Sequence, residues 1–244
     1  GSATNDGGAG MAKALGAKLL DANGAEMKEG GGSLDQLASI DLTNLDSRLA
    51  EVKVEVACDV DNPLTGETGA SAIFGPQKGA TPDMVKRLDC NLAHYAAVIE
   101  KEMNIHIQSV PGAGAAGGLG GGLLAFLSAE LKPGVDIVIE ATQLESYIKD
   151  ADLVITGEGR IDGQTIYGKT PIGVAKTAKK HSVPVIAIAG SIGVGSEAVY
   201  EHGIDALFSI VPGIVSLSEA LEKASENVER TAGSLASIMR LTMK

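Results

Sequence analysis

Four charged side chains crowd into the run Leu153 to Ala175, LVITGEGRIDGQTIYGKTPIGVA: Glu158, Arg160, Asp162 and Lys169. Two carboxylates and a lysine so close in sequence can divide the work of a group transfer. One acid takes a proton or meets a cation, and the lysine neutralises an anion. Glycines at 157, 159, 163 and 168 keep backbone N–H groups accessible between them. The apolar Leu153-Val154-Ile155-Thr156 reads as a buried strand ending near Thr156. Gly157 to Asp162 would then be a loop past a strand end, where open parallel sheets bind ligands. Pro171 suits the first position of a helix over Ile172 to His181.

Residues 163–170, GQTIYGKT, match the P-loop pattern G-x-x-x-x-G-K-[ST] letter for letter. Context weighs against a true P-loop. The first glycine should sit at the strand end, and Pro171 removes an N–H that the helix should offer to phosphate. A weaker reading survives: backbone N–H groups, Lys169 and a helix start hold an anion, with Gln164 and Thr165 as polar lining. The plain alternative is a glycine-rich turn with solvated charges.

Three further stretches carry candidate groups. Asp59 and Asp61 follow a run that alternates charged and apolar residues, Glu51 to Cys58, which reads as a half-exposed strand. Two residues apart in extended backbone, they point to one side and could hold a cation, with Asn62 beside them for substrate; a turn before Pro63 is the alternative. In GSATNDGGAG, Asn5 and Asp6 can cap a helix over Ala9 to Leu20. Alternatively Ser2, Thr4, Asn5 and Asp6 surround a small ligand. Gly112-x-Gly114-x-x-Gly117 has the dinucleotide spacing, after a strand candidate at Ile105 to Val110 and before a helix to about Ala129. It reads as a phosphate or carboxylate cradle, or as close packing of a helix. The loop Gly190 to Gly195 is a second candidate for nucleotide contact.

The elements that must position these groups follow from composition and pattern. Of 244 residues, 44% are hydrophobic but only 3% aromatic, with no Trp. A core of Ala, Val, Ile and Leu favours α/β layers. Thr81-Pro82-Asp83 is a strong helix start, and Met84, Leu88, Leu92, Tyr95, Ile99 and Met103 make one apolar stripe to about Asn104. His94 and Cys90 on this helix lack companions at zinc spacing. From Pro133 the pattern alternates. Strands are expected at Asp136–Glu140, Asp152–Thr156, Val183–Ala189 and Ala206–Val211, with helices at Leu144–Lys149, Ile172–His181, Ser196–Glu201 and Ser216–Arg240. The expected architecture is two lobes: an α/β lobe over residues 1–132 carrying substrate and phosphate loops, and a doubly wound, Rossmann-like parallel sheet over residues 133–244.

A net charge of −11 argues against a nucleic-acid surface. It also makes a divalent cation useful for any anionic nucleotide. Cys58 and Cys90 are too few for a disulfide framework and fit a cytoplasmic protein. The apolar run Ala113 to Leu127 is too short and glycine-rich to span a membrane.

The blocks ITGEGRIDGQTIYGKTPIGVA, GSATNDGGAGM, DVDNPLTGETGA at Asp59–Ala70 and GAGAAGGLGGGLLAF at Gly112–Phe126 resemble, in this order, the bacterial glycerate kinase family, of glycerate 2-kinase type. The resemblance covers essentially the whole chain. It implies ATP and Mg2+ as cofactors and glycerate as substrate, converted to 2-phosphoglycerate. It also tips Ser2, Thr4, Asn5 and Asp6 towards binding a small hydroxy acid. Asp162 or Glu158 would serve as base or magnesium contact, and Lys169 would neutralise a phosphate. Family members carry a further N-terminal portion, roughly one domain's worth of chain. This chain is expected to lack it, and that portion is expected to add strands to the sheet. The loops Ser2–Asp6, Asp59–Asn62, Gly112–Gly118 and Gly157–Lys169 are expected to face one cleft. A nicotinamide-dependent oxidoreductase using Gly112–Gly117, with Glu130 or Asp136 as its acid, is the alternative enzyme, and a non-catalytic ligand-binding fragment is the other. A homo-oligomer stays open.

Overall fold

The computed structural model describes residues 2–242, so Gly1 of the N-terminal loop lies outside the described residues. The chain forms two compact units, Gly1–Gly134 and Val135–Lys244.

The first unit is built around a long helix. In chain order it contains α1 (Ala9–Ala14), β1 (Lys18–Leu20), β2 (Ser39–Asp41), β3 (Glu55–Ala57), α2 (Ala70–Phe74), α3 (Pro82–Met103), α4 (Ala115–Leu127) and β4 (Glu130–Lys132), with short 3-10 helices at Gly31–Gln36, Ser47–Glu51 and Pro76–Lys78. Helix α3 starts as its residues dictate: Thr81 Oγ1 accepts from Met84 N at 3.3 Å, and Pro82 and Asp83 fill the first turn. It ends at Asn104, which takes the left-handed conformation at φ +56°. The expected stripe buries Leu92, Tyr95 and Ile99 against Leu19, Leu34 and Leu64, while Met84 near the helix start stays exposed.

Three expectations fail in this unit, each for a local reason. The helix expected over Ala9–Leu20 stops at Ala14, because Gly16 turns at φ +103° with Asn44 O only 2.0 Å from where its Cβ would be. The chain then enters β1, which pairs antiparallel with β2. The strand expected over Glu51–Cys58 shrinks to β3, which pairs parallel with β4, and a 3-10 turn takes its start. Ile105–Val110 forms no strand; Ile107 is buried in the core, and Gln108 O accepts from Leu64 N instead of from a sheet partner.

The second unit contains α5 (Gly134–Ala141), α6 (Leu144–Ile148), β5 (Val154–Ile161), α7 (Thr170–Lys180), β6 (Val185–Ile192), β7 (Ala206–Ser209), α8 (Leu217–Glu222) and α9 (Ala224–Thr242). The α/β class holds, and β5-β6-β7 pair in that order, all parallel. Ile161, Ile172, Ala175, Ala178, Val185 and Ala187 form the core between α7 and the sheet, built from the small aliphatic residues that the composition favours.

Asp136–Glu140, expected as a strand, lies within helix α5. Its Val and Ile have strand propensity, but Val135 and Ile139, four apart, form one helical face against Gly173 of α7, where a Cβ would lie 2.4 Å from Val135 Cγ2. Ser196–Glu201 is a 3-10 helix over Ser196–His202, and the last helix divides into α8 and α9. Strand β5 runs past Thr156 to Ile161, because Gly157 to Ile161 continue the parallel pairing with β6 up to Ile161↔Ile192. Glu158 and Arg160 are therefore strand residues and not loop residues.

Candidate active site

In the second unit the charged residues gather at the carboxyl end of β5. Thr165 Oγ1 donates to Glu158 Oε1 at 2.7 Å and accepts from Asp162 N at 3.1 Å. Asp162 Oδ1 accepts from Gln164 N at 3.0 Å. Its Oδ2 lies 3.1 Å from Arg160 Nε. Lys169 Nζ stands 3.8 Å from Glu158 Oε1 and 3.9 Å from Asp162 Oδ1. The two acids, one lysine and the buried Thr165 thus form one cluster, held by a turn that closes on itself. Gln164 contributes its backbone N–H while its side chain is exposed.

The two carboxylates are not equivalent. Both oxygens of Asp162 are engaged within the cluster. Glu158 uses Oε1, and among the described residues Oε2 has no partner. Thr165 is fully buried, so it reaches a ligand only through Glu158. Lys169 precedes α7 in extended conformation, with ψ 158°, instead of opening the helix as a P-loop lysine does. The strand ends nearer to Gly163 than its sequence implies, but Gln164 N and Thr165 N already serve Asp162. The loop after β6 packs on this cluster: Gly193 N donates to Ile161 O at 2.8 Å, and a Cβ at Gly193 would lie 2.9 Å from Asp162 Cβ. An open cleft of about 970 Å³ over the sheet has Glu158, Ser191 and Ser209 among otherwise largely apolar walls that include Ile155, Ile188 and Val211.

In the first unit three of the expected loops touch. Gly7 N donates to Gly117 O at 3.1 Å, and Gly114 N to Asn62 O at 2.9 Å. Asp6 spends both carboxylate oxygens on the start of α1, accepting from Gly8 N and Gly10 N at 3.2 and 3.0 Å. Asn5 is not a cap; its Nδ2 donates to the buried Ser71 Oγ at 2.9 Å. Asp59 Oδ1 accepts from Gly134 N at 2.8 Å. Asp59 and Asp61 are exposed beyond β3, and Asn62 Nδ2 closes a turn onto Thr68 O at 2.8 Å.

The glycines at 112, 114 and 117 serve close packing. A Cβ at Gly114 would lie 2.2 Å from Pro63 O, and one at Gly117 2.1 Å from Thr4 O. No strand precedes them, and Ala116, Gly117 and Gly118 all have positive φ inside α4. The strand–turn–helix that a dinucleotide fingerprint requires is missing, which removes the basis for the oxidoreductase alternative.

One residue of this centre was missed from sequence. Lys78 Nζ donates to Ser2 Oγ at 2.8 Å and to Thr4 O at 2.6 Å. Burial lowers its pKa from the ordinary lysine value, and the charge of Asp6 opposes that only in part. A lysine at the end of a 3-10 turn, 74 residues from its partner Thr4, carries no local signal.

Among the described residues no three His, Cys, Asp or Glu side chains group as a metal site, and no helix is long and apolar enough to cross a membrane. Cys58 and Cys90 are free thiols.

The second unit is thus an α/β layer on a parallel three-stranded sheet, with two acids and a lysine clustered at the end of β5. The Glycerate kinase family model matches residues 1–240, and the chain belongs to that family. It is similar to a glycerate kinase of Bacillus subtilis (strain 168), 64% identical over 241 residues, covering 99% of this chain and 63% of the relative. It is also similar to a glycerate 2-kinase of Escherichia coli (strain K12), 56% identical over 244 residues, covering 100% and 64%. A crystal structure from Salmonella typhimurium LT2, assigned to glycerate kinase 2, matches with TM-score 0.84 and 54% identity over 100% of this chain and 63% of that one. The chain thus spans about 63% of the length of such relatives.

Proposed function

We propose that this chain takes part in the ATP-dependent phosphorylation of glycerate at its 2-hydroxyl. The observation that carries the reading is the cluster at the end of β5, where Lys169 Nζ lies within 4 Å of both Glu158 and Asp162. Similarity to glycerate kinases along almost the whole chain supports the substrate, and the E. coli relative's name supports the position. A transferring phosphoryl group carries negative oxygens, so nearby carboxylates need a cation or must act on the hydroxyl proton. Lys169 supplies positive charge. Glu158, through its unpartnered Oε2, is the acid that takes the hydroxyl proton or meets the cation. Asp162 holds Arg160 and the turn in place around Lys169.

Magnesium suits this donor set, because that ion is commonly held by one or two carboxylates together with substrate phosphates. When bound it would neutralise charge on the transferring phosphoryl group. Glu158, through Oε2, fits that role, and Asp59 and Asp61 remain the other candidate pair. A cytoplasmic setting is consistent with the two free thiols.

The experiment is glycerate-dependent ADP formation by the chain with magnesium and ATP, with the product's phosphorus position read by NMR. ADP with 2-phosphoglycerate is expected. ADP formation that ignores glycerate would remove the substrate, and 3-phosphoglycerate would remove the position.

A further inference from the structure

Lys78 is a half-buried cation with no carboxylate within ion-pair distance among the described residues. Its partners, Ser2 Oγ and Thr4 O, are both uncharged. An ammonium has three donors, so these two bonds leave one N–H for something else. In a chain of net charge −11, a cation that feels Asp6 but makes no ion pair with it keeps a donor for an anion from outside.

A second observation lies beside it. Asn5 gives Nδ2 to Ser71, and its Oδ1 is buried with no hydrogen-bond partner. Whichever way the amide is turned, one end stays unsatisfied, a state that native proteins seldom leave without water or ligand. The two residues are neighbours: Asn5 Cα and Lys78 Nζ each lie 2.9 Å from the position that a Cβ on Gly117 would occupy. Gly117 has φ +77°, so glycine both permits this turn and leaves the ammonium unobstructed.

We propose that Lys78 and Asn5 form the anchoring site for a small hydroxy acid. The ammonium takes the carboxylate, and the orphaned amide group hydrogen-bonds a hydroxyl. Ser2 and Thr4 hold the lysine in position. The inference rests on the glycerate reading above for the identity of the acid, but not for the existence of the site.

The first test is steady-state kinetics of Lys78→Met and Lys78→Arg with magnesium-ATP saturating. Loss of a charge-assisted hydrogen bond should raise KM for glycerate by roughly ten- to a hundredfold in Lys78→Met, with KM for ATP within about twofold of wild type and partial rescue in Lys78→Arg. An unchanged KM for glycerate, or a rise confined to ATP, overturns the proposal, the latter pointing to a nucleotide phosphate at Lys78. The second test needs no variant. Mild acetylation of the wild-type chain, read by peptide mass spectrometry, should show Lys78 protected by added glycerate while the exposed Lys86 is unaffected. Absence of that protection overturns the site. If the wild-type chain forms no ADP yet glycerate protects Lys78, the site stands and the kinase reading fails.

Discussion

Thr165 Oγ1 lies 2.7 Å from Glu158 Oε1 and is fully buried beneath it. The same hydroxyl accepts from Asp162 N, so its single proton must go to Glu158. This fixes the direction of the bond and leaves Glu158 as acceptor at Oε1 with Oε2 outward. Thr165→Val should remove both bonds at nearly constant shape and leave Asp162 N unsatisfied. We expect a loss of roughly 1–3 kcal/mol in unfolding free energy, measured by denaturant titration. Thr165→Ser should recover most of it, and equal losses in the two variants would mean that methyl packing, not the hydroxyl, matters.

Gly31 faces the backbone of Asn5. A Cβ there would lie 1.9 Å from Asn5 O and 2.9 Å from Asn5 C, contacts that no side-chain rotation can relieve. Gly31→Ala should therefore destabilise the first unit by roughly 1–3 kcal/mol. Chemical denaturation followed by circular dichroism would detect it, and wild-type stability would mean that the loop moves aside freely.

Much of this architecture was legible because its signals are local. Thr81-Pro82-Asp83 start α3 in the structure as they do on paper, and Pro171 sits in the first turn of α7. Glu158, Asp162 and Lys169 could be grouped because one strand and one turn bring them together. What stayed hidden depends on tertiary contacts. The β-branched Val135-Asp136-Ile137-Val138-Ile139 looks like a strand until Gly173 offers a surface for two of its side chains at helical spacing. Lys78 looks like any surface lysine until the N-terminal loop, distant in sequence, closes on it through Ser2 and Thr4. The strand end was misplaced because Gly157 and Gly159 suggest a break, whereas parallel pairing with β6 carries the backbone through them.

Asp205 links three elements of the second unit. It accepts from Lys179 Nζ of α7 and from Val185 N of β6, each at 2.6 Å, just before β7. The Lys179 hydrogen bond, followed by that of Val185 N, holds its pKa below the ordinary 3.8. A lowered carboxylate pKa contributes stability above its unfolded-state value, lost as pH falls through the folded-state value. Asp205→Asn should thus lower the melting temperature near neutral pH and flatten the decline below about pH 4. A variant with an acid limb as steep as wild type would show that this pair does not contribute.

The unequal engagement of the two acids at the end of β5 is tested most directly by comparing turnover of Glu158→Gln and Asp162→Asn with wild type, at saturating glycerate, ATP and magnesium. If Glu158 acts on the hydroxyl proton or the cation, Glu158→Gln should lose roughly two to four powers of ten in kcat with a modest change in KM for glycerate. Asp162→Asn, which disturbs a residue already bonded at both oxygens, should retain more turnover and lose more stability. Near wild-type kcat for Glu158→Gln, with Asp162→Asn inactive but normally folded, would contradict the assignment and move the chemistry to Asp162.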